Sequence, residues 1–358
     1  MKKIVIDISQ LHPAALKRGV GYYARNLYGS LNAKNAKKNA RKTRNVKYFL
    51  RKTQKEKYQA DLIHYPYFDP FFLTLPRRRR TPIIVTVHDL TPLKFPKYYP
   101  AGIKGGIKWQ VQRYLLKKVD AIITDSENSK KDIVDIIDYP EEKIYPIHLA
   151  VKKIFKPLVI NHQSSIIKKK YHLPDIFLLY VGDLNWNKNL LGLIRAFSAI
   201  SHQPSAISLI LIGSAFENNN LIELKVLKKL INKLSLKKEV KLLGFVPTGD
   251  LVKIYNLATL YIQPSFYEGF GFPVLEAMSC SCPVLSSNQA SLPEVGGKAV
   301  EYFNPSNKTD LERKIEYLLS NKINLKKLRK LGLEQAKKFS WRKTAEQTAK
   351  VYQKLLEK

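Results

Sequence analysis

The chain has 358 residues, 45% hydrophobic and 25% charged, with 62 Lys and Arg against 29 Asp and Glu. That length allows one or two domains with sizeable cores, and no apolar run approaches the roughly 20 residues needed to cross a bilayer. The net charge of +33 is lopsided, +21 over residues 1–120 and +12 over the rest, which points the N-terminal half toward a polyanionic neighbour, an anionic membrane surface or nucleic acid. A Lys-, Asn- and Ile-rich composition accounts for the total charge but not for its asymmetry.

The chain opens on Lys3–Ser9, whose apolar run is cut by Asp7, so it reads as a first strand and not as a signal peptide. Further strands are expected at Asp61–Tyr65, Ile83–His88, Ala121–Asp125 and Lys143–His148, then at Phe177–Gly182, Ser208–Gly213, Val240–Phe245, Leu260–Gln263, Pro283–Ser286 and Ala299–Tyr302. They alternate with helical patterns, as in parallel βαβ units. Lys152–Lys170 lacks clear periodicity and reads as the interdomain linker, and Trp341–Lys358 as a final helix. The Lys/Asn-rich tract Asn32–Lys57 contains a candidate short strand at Val46–Leu50, and Arg77–Arg80 is a basic patch suited to lipid headgroups. The two cysteines, Cys280 and Cys282, are too close for ordinary disulfide geometry and lack a second pair for zinc, so a reducing cytoplasm is expected.

Chemistry-bearing residues fall at strand ends, where open α/β sheets bind ligands. Gly19 and Gly21 precede a helix expected at Tyr22–Leu31 and permit close approach of a phosphate or sugar. His88 ends the third strand and can donate to a sugar hydroxyl, with Asp89 as the neighbour that would set its tautomer. Ser126 and Asn128 read as helix caps. Lys188, just before a helix at Asn189–Ile200, is placed to neutralise a diphosphate. Gly244-Phe245-Val246-Pro247 precedes a helix at Asp250–Leu257.

The most informative stretch is Phe266-Tyr267-Glu268-Gly269-Phe270-Gly271-Phe272-Pro273-Val274-Leu275-Glu276. It sets two carboxylates eight positions apart around a glycine turn and a helix start. Pro273 suits a first helical position, which would put Glu276 in the first turn and Glu268 in the loop. Amides at such a helix entrance can hold phosphate while carboxylates accept bonds from sugar hydroxyls. The arrangement suits a nucleotide-sugar.

This string resembles the E-x7-E signature of glycosyltransferase family 4, the retaining group 1 transferases, and the likeness continues through Pro283–Asn288 and Ser291–Val295. Arg18–Ala24 is similar to the family's glycine loop and Thr86–Pro92 to its HDL-P segment. The resemblance implies a GT-B fold: two Rossmann-like domains facing across a cleft, residues 1–155 completed by 343–358 as the acceptor-side domain, and 156–342 as the nucleotide-sugar domain. It further implies that Glu276 binds the ribose and Glu268 orients the sugar. Amides of the Phe270–Val274 segment, with Phe270, Gly271, Phe272 and Val274 among its donor-binding residues, would line the sugar and phosphates, Gly269 and Leu275 would also belong to the donor site, Phe245 would contact the base through its backbone, and His88 would reach the sugar from the other domain. The reaction implied is transfer of a hexose-type sugar, mannose among the candidates, from a nucleoside-diphosphate donor to a glycan or lipid-linked acceptor in cell-envelope polysaccharide synthesis. The donor is a substrate; no cofactor is expected and, in the absence of any Asp-x-Asp, no metal.

Two departures from the family pattern stand out. Where it commonly has an Arg-Lys pair or an Arg directly after the glycine, this chain has Asn187 and Asp183. The alternative reading is therefore a non-catalytic member, or a nucleic-acid-binding protein on a transferase scaffold; the lack of a recognisable nucleic-acid module weighs against the latter. A cytoplasmic protein with peripheral contact to an anionic membrane through its basic N-terminal half completes the expectation.

Overall fold

The computed structural model describes residues 1–9, 19–33, 46–53, 59–77, 80–159, 162–201 and 207–357. The chain divides into two compact units, Met1–Ala150 with Phe339–Lys358, and Val151–Lys338.

The first unit carries a six-stranded sheet in the order β2-β1-β3-β4-β5-β6. Its strands are β1 (Lys2–Asp7), β2 (Val46–Arg51), β3 (Leu62–Tyr65), β4 (Ile83–Thr86), β5 (Ala121–Thr124) and β6 (Ile144–Pro146). Every pairing is parallel. Strands β4 and β5 are buried at every position, which explains their continuous β-branched runs: a parallel strand covered on both faces has no solvent side to mark with polar residues. The helices that concern the site are α1 (Gly19–Asn32), α2 (Gly102–Leu116) and α3 (Glu127–Ile137).

The second unit repeats the design in the order β12-β11-β10-β7-β8-β9, again wholly parallel. Its strands are β7 (Phe177–Val181), β8 (Ser208–Ile212), β9 (Val240–Leu243), β10 (Leu260–Gln263), β11 (Val284–Ser287) and β12 (Glu301–Phe303). Around them lie α4 (Leu190–Ser201), α5 (Ile222–Lys233), α6 (Thr248–Leu257), α7 (Phe272–Ser279), α8 (Asp310–Ser320) and α9 (Lys322–Ala336). The chain runs from β7 outward to β9, then returns to the other side of β7 as β10. The switch in strand order therefore falls between β7 and β10, the place where a doubly wound sheet opens a crevice at its carboxyl edge.

The last helix, α10 (Trp341–Leu356), packs in the first unit. Ser340 caps it by accepting from the Lys343 amide. Its buried face holds Ala345, Val351 and Tyr352, and the Trp341 indole donates to the Tyr22 hydroxyl of α1 at 3.1 Å. Tyr352 reaches β3, where its hydroxyl lies 2.7 Å from His64 Nδ1, while His64 Nε2 meets Thr86 of β4 at 2.7 Å. Burial pushes the His64 imidazole down to about 3, so this ring is neutral and serves as a polar pin between two strands and the final helix.

Several expected boundaries shift. The presumed linker contains a helix, His162–Tyr171, because Gln163 and the run Lys168-Lys169-Lys170 are good helix formers and no Gly or Pro interrupts the stretch. Helix α1 begins at Gly19, three residues before the expected start, so both glycines sit in its first turn. Strand β4 stops at Thr86, and His88 follows it outside the sheet. The candidate strand at Val46–Leu50 forms as the edge strand β2, while residues 34–45 and 54–58 of the basic tract lie outside the described residues. Arg77 and Arg80 are exposed; Arg78 and Arg79 lie outside the described residues.

Candidate active site

At the switch point of the second unit, two loops meet. The loop after β7 makes a 3-10 turn, Trp186–Lys188, which ends on Asn189 in the left-handed region at φ 52°. Asn189 donates from its side chain to the Pro264 carbonyl at 3.0 Å, and the Phe266 amide donates to the Asn187 carbonyl at 2.8 Å. The Asn187 side chain is buried and donates to the Tyr267 carbonyl at 2.8 Å. Trp186 stacks on Phe266 with ring centroids 5.2 Å apart. Residues 80 positions apart in sequence are thereby bolted into one surface.

On that surface Lys188 Nζ lies 2.8 and 2.7 Å from the two oxygens of Glu268. Glu268 is nearly buried, and its Oε1 also accepts from Gln263 Nε2 at 2.9 Å and Ser265 Oγ at 2.7 Å. Ser291 Oγ holds its backbone carbonyl at 2.8 Å. A buried carboxylate is tolerated only when paired and hydrogen-bonded, and here both conditions are met. The sequence reading placed Lys188 and Glu268 in separate roles; the structure makes them one ion pair. It also missed Gln263, Ser265 and Ser291 as the clamp, for which the only signal was a polar run ending an otherwise apolar strand.

Helix α7 follows directly. Gly271 at its N-cap has φ 98°, a left-handed conformation, and a Cβ there would come within 2.7 Å of Leu292 Cδ2. The left-handed φ is the demand that selects glycine, since the Leu292 methyl ends a flexible side chain. The helix starts at Phe272, so Pro273 is its second residue and Glu276 its fifth. Glu276 therefore belongs to the second turn, a correction to the expected first-turn placement. The amides of Val274 and Leu275 already donate to the Gly271 carbonyl, at 3.1 and 3.4 Å, and their side chains are fully buried. Glu276 is half-buried and accepts from the Tyr255 hydroxyl of α6 at 3.1 Å. Burial pushes its carboxyl up from 4.5 to about 7, against the opposing pull of Tyr255 and Lys152.

Gly213, after β8, would carry a Cβ 2.0 Å from the Gly182 carbonyl oxygen, so the loop bearing Lys188 is shaped by the glycine that follows the neighbouring strand. Phe245 is 70% exposed, and its amide donates to Glu217 Oε1 at 2.9 Å. Glu217 was not foreseen as its partner.

In the first unit, His88 meets Asp125 and not Asp89. His88 Nδ1 lies 2.7 Å from Asp125 Oδ2, whereas Asp89 turns back to accept from the Thr91 amide at 2.9 Å. The physical reason is local: adjacent side chains diverge, while β4 and β5 are paired neighbours that bring their following residues together. His88 Nε2 faces the Pro66 carbonyl at 3.2 Å, so both ring nitrogens point at acceptors and the geometry calls for an imidazolium. Burial pulls the His88 pKa down, but the Asp125 charge and hydrogen bond outweigh it and the net shift is upward. Burial also raises Asp125 itself, which favours a neutral pair; the two acceptors around one ring decide for the charged form. A raised histidine stabilises the fold below its ordinary pKa of 6.5, and that contribution is lost as pH climbs through the folded value. Asp125→Asn is expected to lower the His88 pKa, read by NMR titration of the ring; an unchanged titration would show that Asp125 does not hold this proton. Ser126 caps α3 as expected, accepting from the Ser129 amide, while Asn128 lies inside the helix and not at its cap.

Comparison with known proteins fits this geometry. Residues 163–339 match the model of the glycosyl transferases group 1, and residues 14–152 that of glycosyltransferase family 4. The O-antigen chain mannosyltransferase B of Escherichia coli is 31% identical over 300 residues, covering 82% of this chain and 76% of that protein. The chain belongs to the group 1 transferases of glycosyltransferase family 4. Its fold is GT-B: sucrose-phosphate synthase from Thermosynechococcus elongatus superposes with a TM-score of 0.76 at 20% identity over the whole of both chains. Anabaena HepE in complex with UDP and glucose does so with a TM-score of 0.74 at 17% identity, over 99% of this chain and 100% of that one.

In this glycosyltransferase the predicted residues fall into two groups. Lys188, Asn187, Glu268, Gly269 to Phe272, Val274, Leu275, Glu276 and Phe245 lie in the second unit; His88, Gly19 and Gly21 lie in the first. The two family departures have local explanations. Asn187 is the buried tie between the loops, and Asp183 is exposed with its carboxylate turned back onto the Leu184 amide at 3.0 Å. Among the described residues no group of three or more His, Cys, Asp or Glu side chains could hold a metal ion, and no helix is long and apolar enough to cross a membrane. Both cysteines are free and buried, and burial raises both thiols, Cys282 to about 12.

Proposed function

We propose that this glycosyltransferase moves a hexose-type sugar, with mannose as the first candidate, from a nucleoside-diphosphate donor to a glycan or lipid-linked acceptor in cell-envelope polysaccharide synthesis, with retention at the anomeric carbon. The observation that carries the reading is the Lys188–Glu268 ion pair at the β7/β10 switch point, beside the Gly271-capped helix that presents Glu276. The mannosyl preference draws on the relative from Escherichia coli, and the nucleoside-diphosphate part of the donor on the UDP that HepE binds beside glucose.

In this reading Glu276 accepts bonds from the ribose hydroxyls, and Glu268 takes a hydroxyl of the donor sugar through an oxygen fixed by Lys188. As the glycosidic C–O bond of the donor breaks, negative charge grows on the diphosphate, and Lys188 is the nearest cation of the loop to offset it. The amide end of α7 adds a favourable field. The departing phosphate oxygen takes the acceptor hydroxyl proton on the same face as the new bond, so no protein nucleophile is required. His88, held as an imidazolium by Asp125, would contact the sugar through Nε2 in exchange for its 3.2 Å bond to Pro66. Peripheral contact with an anionic membrane through the basic first unit completes the proposal.

The deciding experiment is a thermal-shift screen of UDP-, GDP- and ADP-sugars followed by a transfer or donor-hydrolysis assay. One donor series should raise Tm and turn over, and Glu276→Ala should lose the shift. If no nucleotide-sugar binds while a polynucleotide does, the transferase proposal fails.

A further inference from the structure

We propose that Gln263, its amide held one way round by Tyr261, is a positioning residue for sugar transfer. It commits one oxygen of Glu268 to the protein and leaves the other, Oε2, as the atom that takes a hydroxyl of the donor sugar. This rests on the nucleotide-sugar reading above and deepens it by naming the accepting atom and the residue behind it.

Strand β10 is buried at every position, yet it ends on an amide. Residues two apart on a strand share a face, so Tyr261 and Gln263 project to the same side. At 1% exposure the Gln263 amide is tolerated only if its polar groups are partnered, and each of them is. Its Nε2 donates to Ser265 Oγ at 2.8 Å and to Glu268 Oε1 at 2.9 Å, while its Oε1 accepts from the Tyr261 hydroxyl. The reversed amide would set its oxygen against the Glu268 carboxylate. Burial raises the Tyr261 phenol well above its usual range, which keeps that hydroxyl protonated as a donor. The Val181 carbonyl, at 3.4 Å, is a poorer acceptor for it.

The two oxygens of Glu268 are not equivalent. Oε1 accepts from Lys188 at 2.8 Å, Gln263 at 2.9 Å and Ser265 at 2.7 Å. Oε2 has Lys188, at 2.7 Å, as its one donor among the described residues. A carboxylate offers about two lone-pair sites on each oxygen, so Oε1 is saturated and Oε2 has room for one more donor.

The loop backbone is held by other groups. Ser287 Oγ donates to the Ser265 carbonyl at 2.6 Å, Ser291 Oγ to the Glu268 carbonyl at 2.8 Å, and the Phe266 amide to the Asn187 carbonyl at 2.8 Å. Gln263 donates to none of these; what it fixes is the rotation of the carboxylate. Without it Glu268 keeps Lys188 and Ser265, but its plane can turn and its oxygens exchange places. The sugar then loses a fixed acceptor, while the Glu276 end of the donor site is untouched.

The test compares Gln263→Met, Tyr261→Phe and the double variant, using whichever of the UDP-, GDP- and ADP-sugars wild type turns over. Methionine has the length of glutamine without its donors. Gln263→Met should lower kcat about 30-fold through misplacement of the sugar, with the Kd of the matching free UDP, GDP or ADP within about twofold of wild type. Tyr261→Phe, which removes one oxygen that does not touch Glu268, should lower kcat about fivefold by freeing the amide to rotate. The double variant should be no slower than Gln263→Met alone, because an absent amide cannot be misoriented. Retained nucleoside-diphosphate binding shows that the variants fold, and a merely structural role would lower Tm without this split or this epistasis. The proposal is overturned if Gln263→Met keeps kcat within about twofold of wild type, if its loss falls equally on nucleoside-diphosphate affinity, or if the two substitutions multiply in kcat. A wild type that turns over no nucleotide-sugar overturns the transferase proposal and this one together; an active wild type matched by Gln263→Met overturns this one alone.

Discussion

A Lys188→Met variant is expected to lose about 10²- to 10³-fold in kcat at saturating donor, the range seen when one preorganised charge or donor at a developing anion is removed. Methionine keeps most of the aliphatic stem, so packing around the turn is preserved while the ammonium group is lost. The ground-state complex should suffer less, because the diphosphate gains its extra negative charge only as the sugar leaves. The variant also strands Glu268, which would retain Gln263 and Ser265 but no counter-ion. Thermal stability should therefore fall, and Glu268→Gln in the same chain should restore part of it. Non-additivity of these two substitutions in both Tm and kcat is the signature of a coupled pair. A single Lys188→Met enzyme within a few-fold of wild type in kcat would remove Lys188 from the mechanism.

Glu276→Ala is the second large effect, and it should fall on donor affinity. Hydrogen bonds to an ionised group contribute about 1.5–3 kcal/mol each, so losing those to a ribose should raise the donor KM by about 10²-fold with a smaller change in kcat. The carboxyl adds a pH dependence whose sign can be worked out. Its pKa stands near 7, pushed up from 4.5 chiefly by burial, and only the ionised form accepts from two hydroxyls. Donor affinity should therefore weaken by about tenfold between roughly pH 8 and pH 6. Stability runs the other way: the fold favours the neutral acid, so this group's contribution declines as pH rises from 4.5 through about 7. Glu276→Gln should flatten the affinity profile, measured by calorimetry across that range. A wild-type affinity that does not change with pH would contradict the assignment.

Much of the fold was legible because its signals are local. The central strands are short, wholly apolar runs bounded by turn residues, and burial on both faces of a parallel sheet demands that pattern. Even the edge strand at Val46–Arg51 was visible as an apolar run within a basic tract. The helix inside the supposed linker escaped because its Lys-rich sequence offers little apolar periodicity, and the start of α7 was misplaced by one residue because proline is accommodated at either of the first helical positions.

The candidate site divides along the same line. Its residue types, Lys188, Glu268, Glu276, Gly271 and His88, were determined by the sequence itself, since carboxylates, glycines and cations at strand ends carry their chemistry in their identity. Their partners were decided by the tertiary structure alone. Asp125 lies 37 positions from His88, Tyr255 lies 21 from Glu276, and Lys188 lies 80 from Glu268. Parallel strands join only through long crossovers, so residues that follow neighbouring strands meet in space without any spacing rule to announce it. The protonation of His88, the burial that raises Glu276 and the pairing that neutralises Glu268 all depend on those meetings. A sequence names the groups; the order of strands in the sheet determines which of them touch.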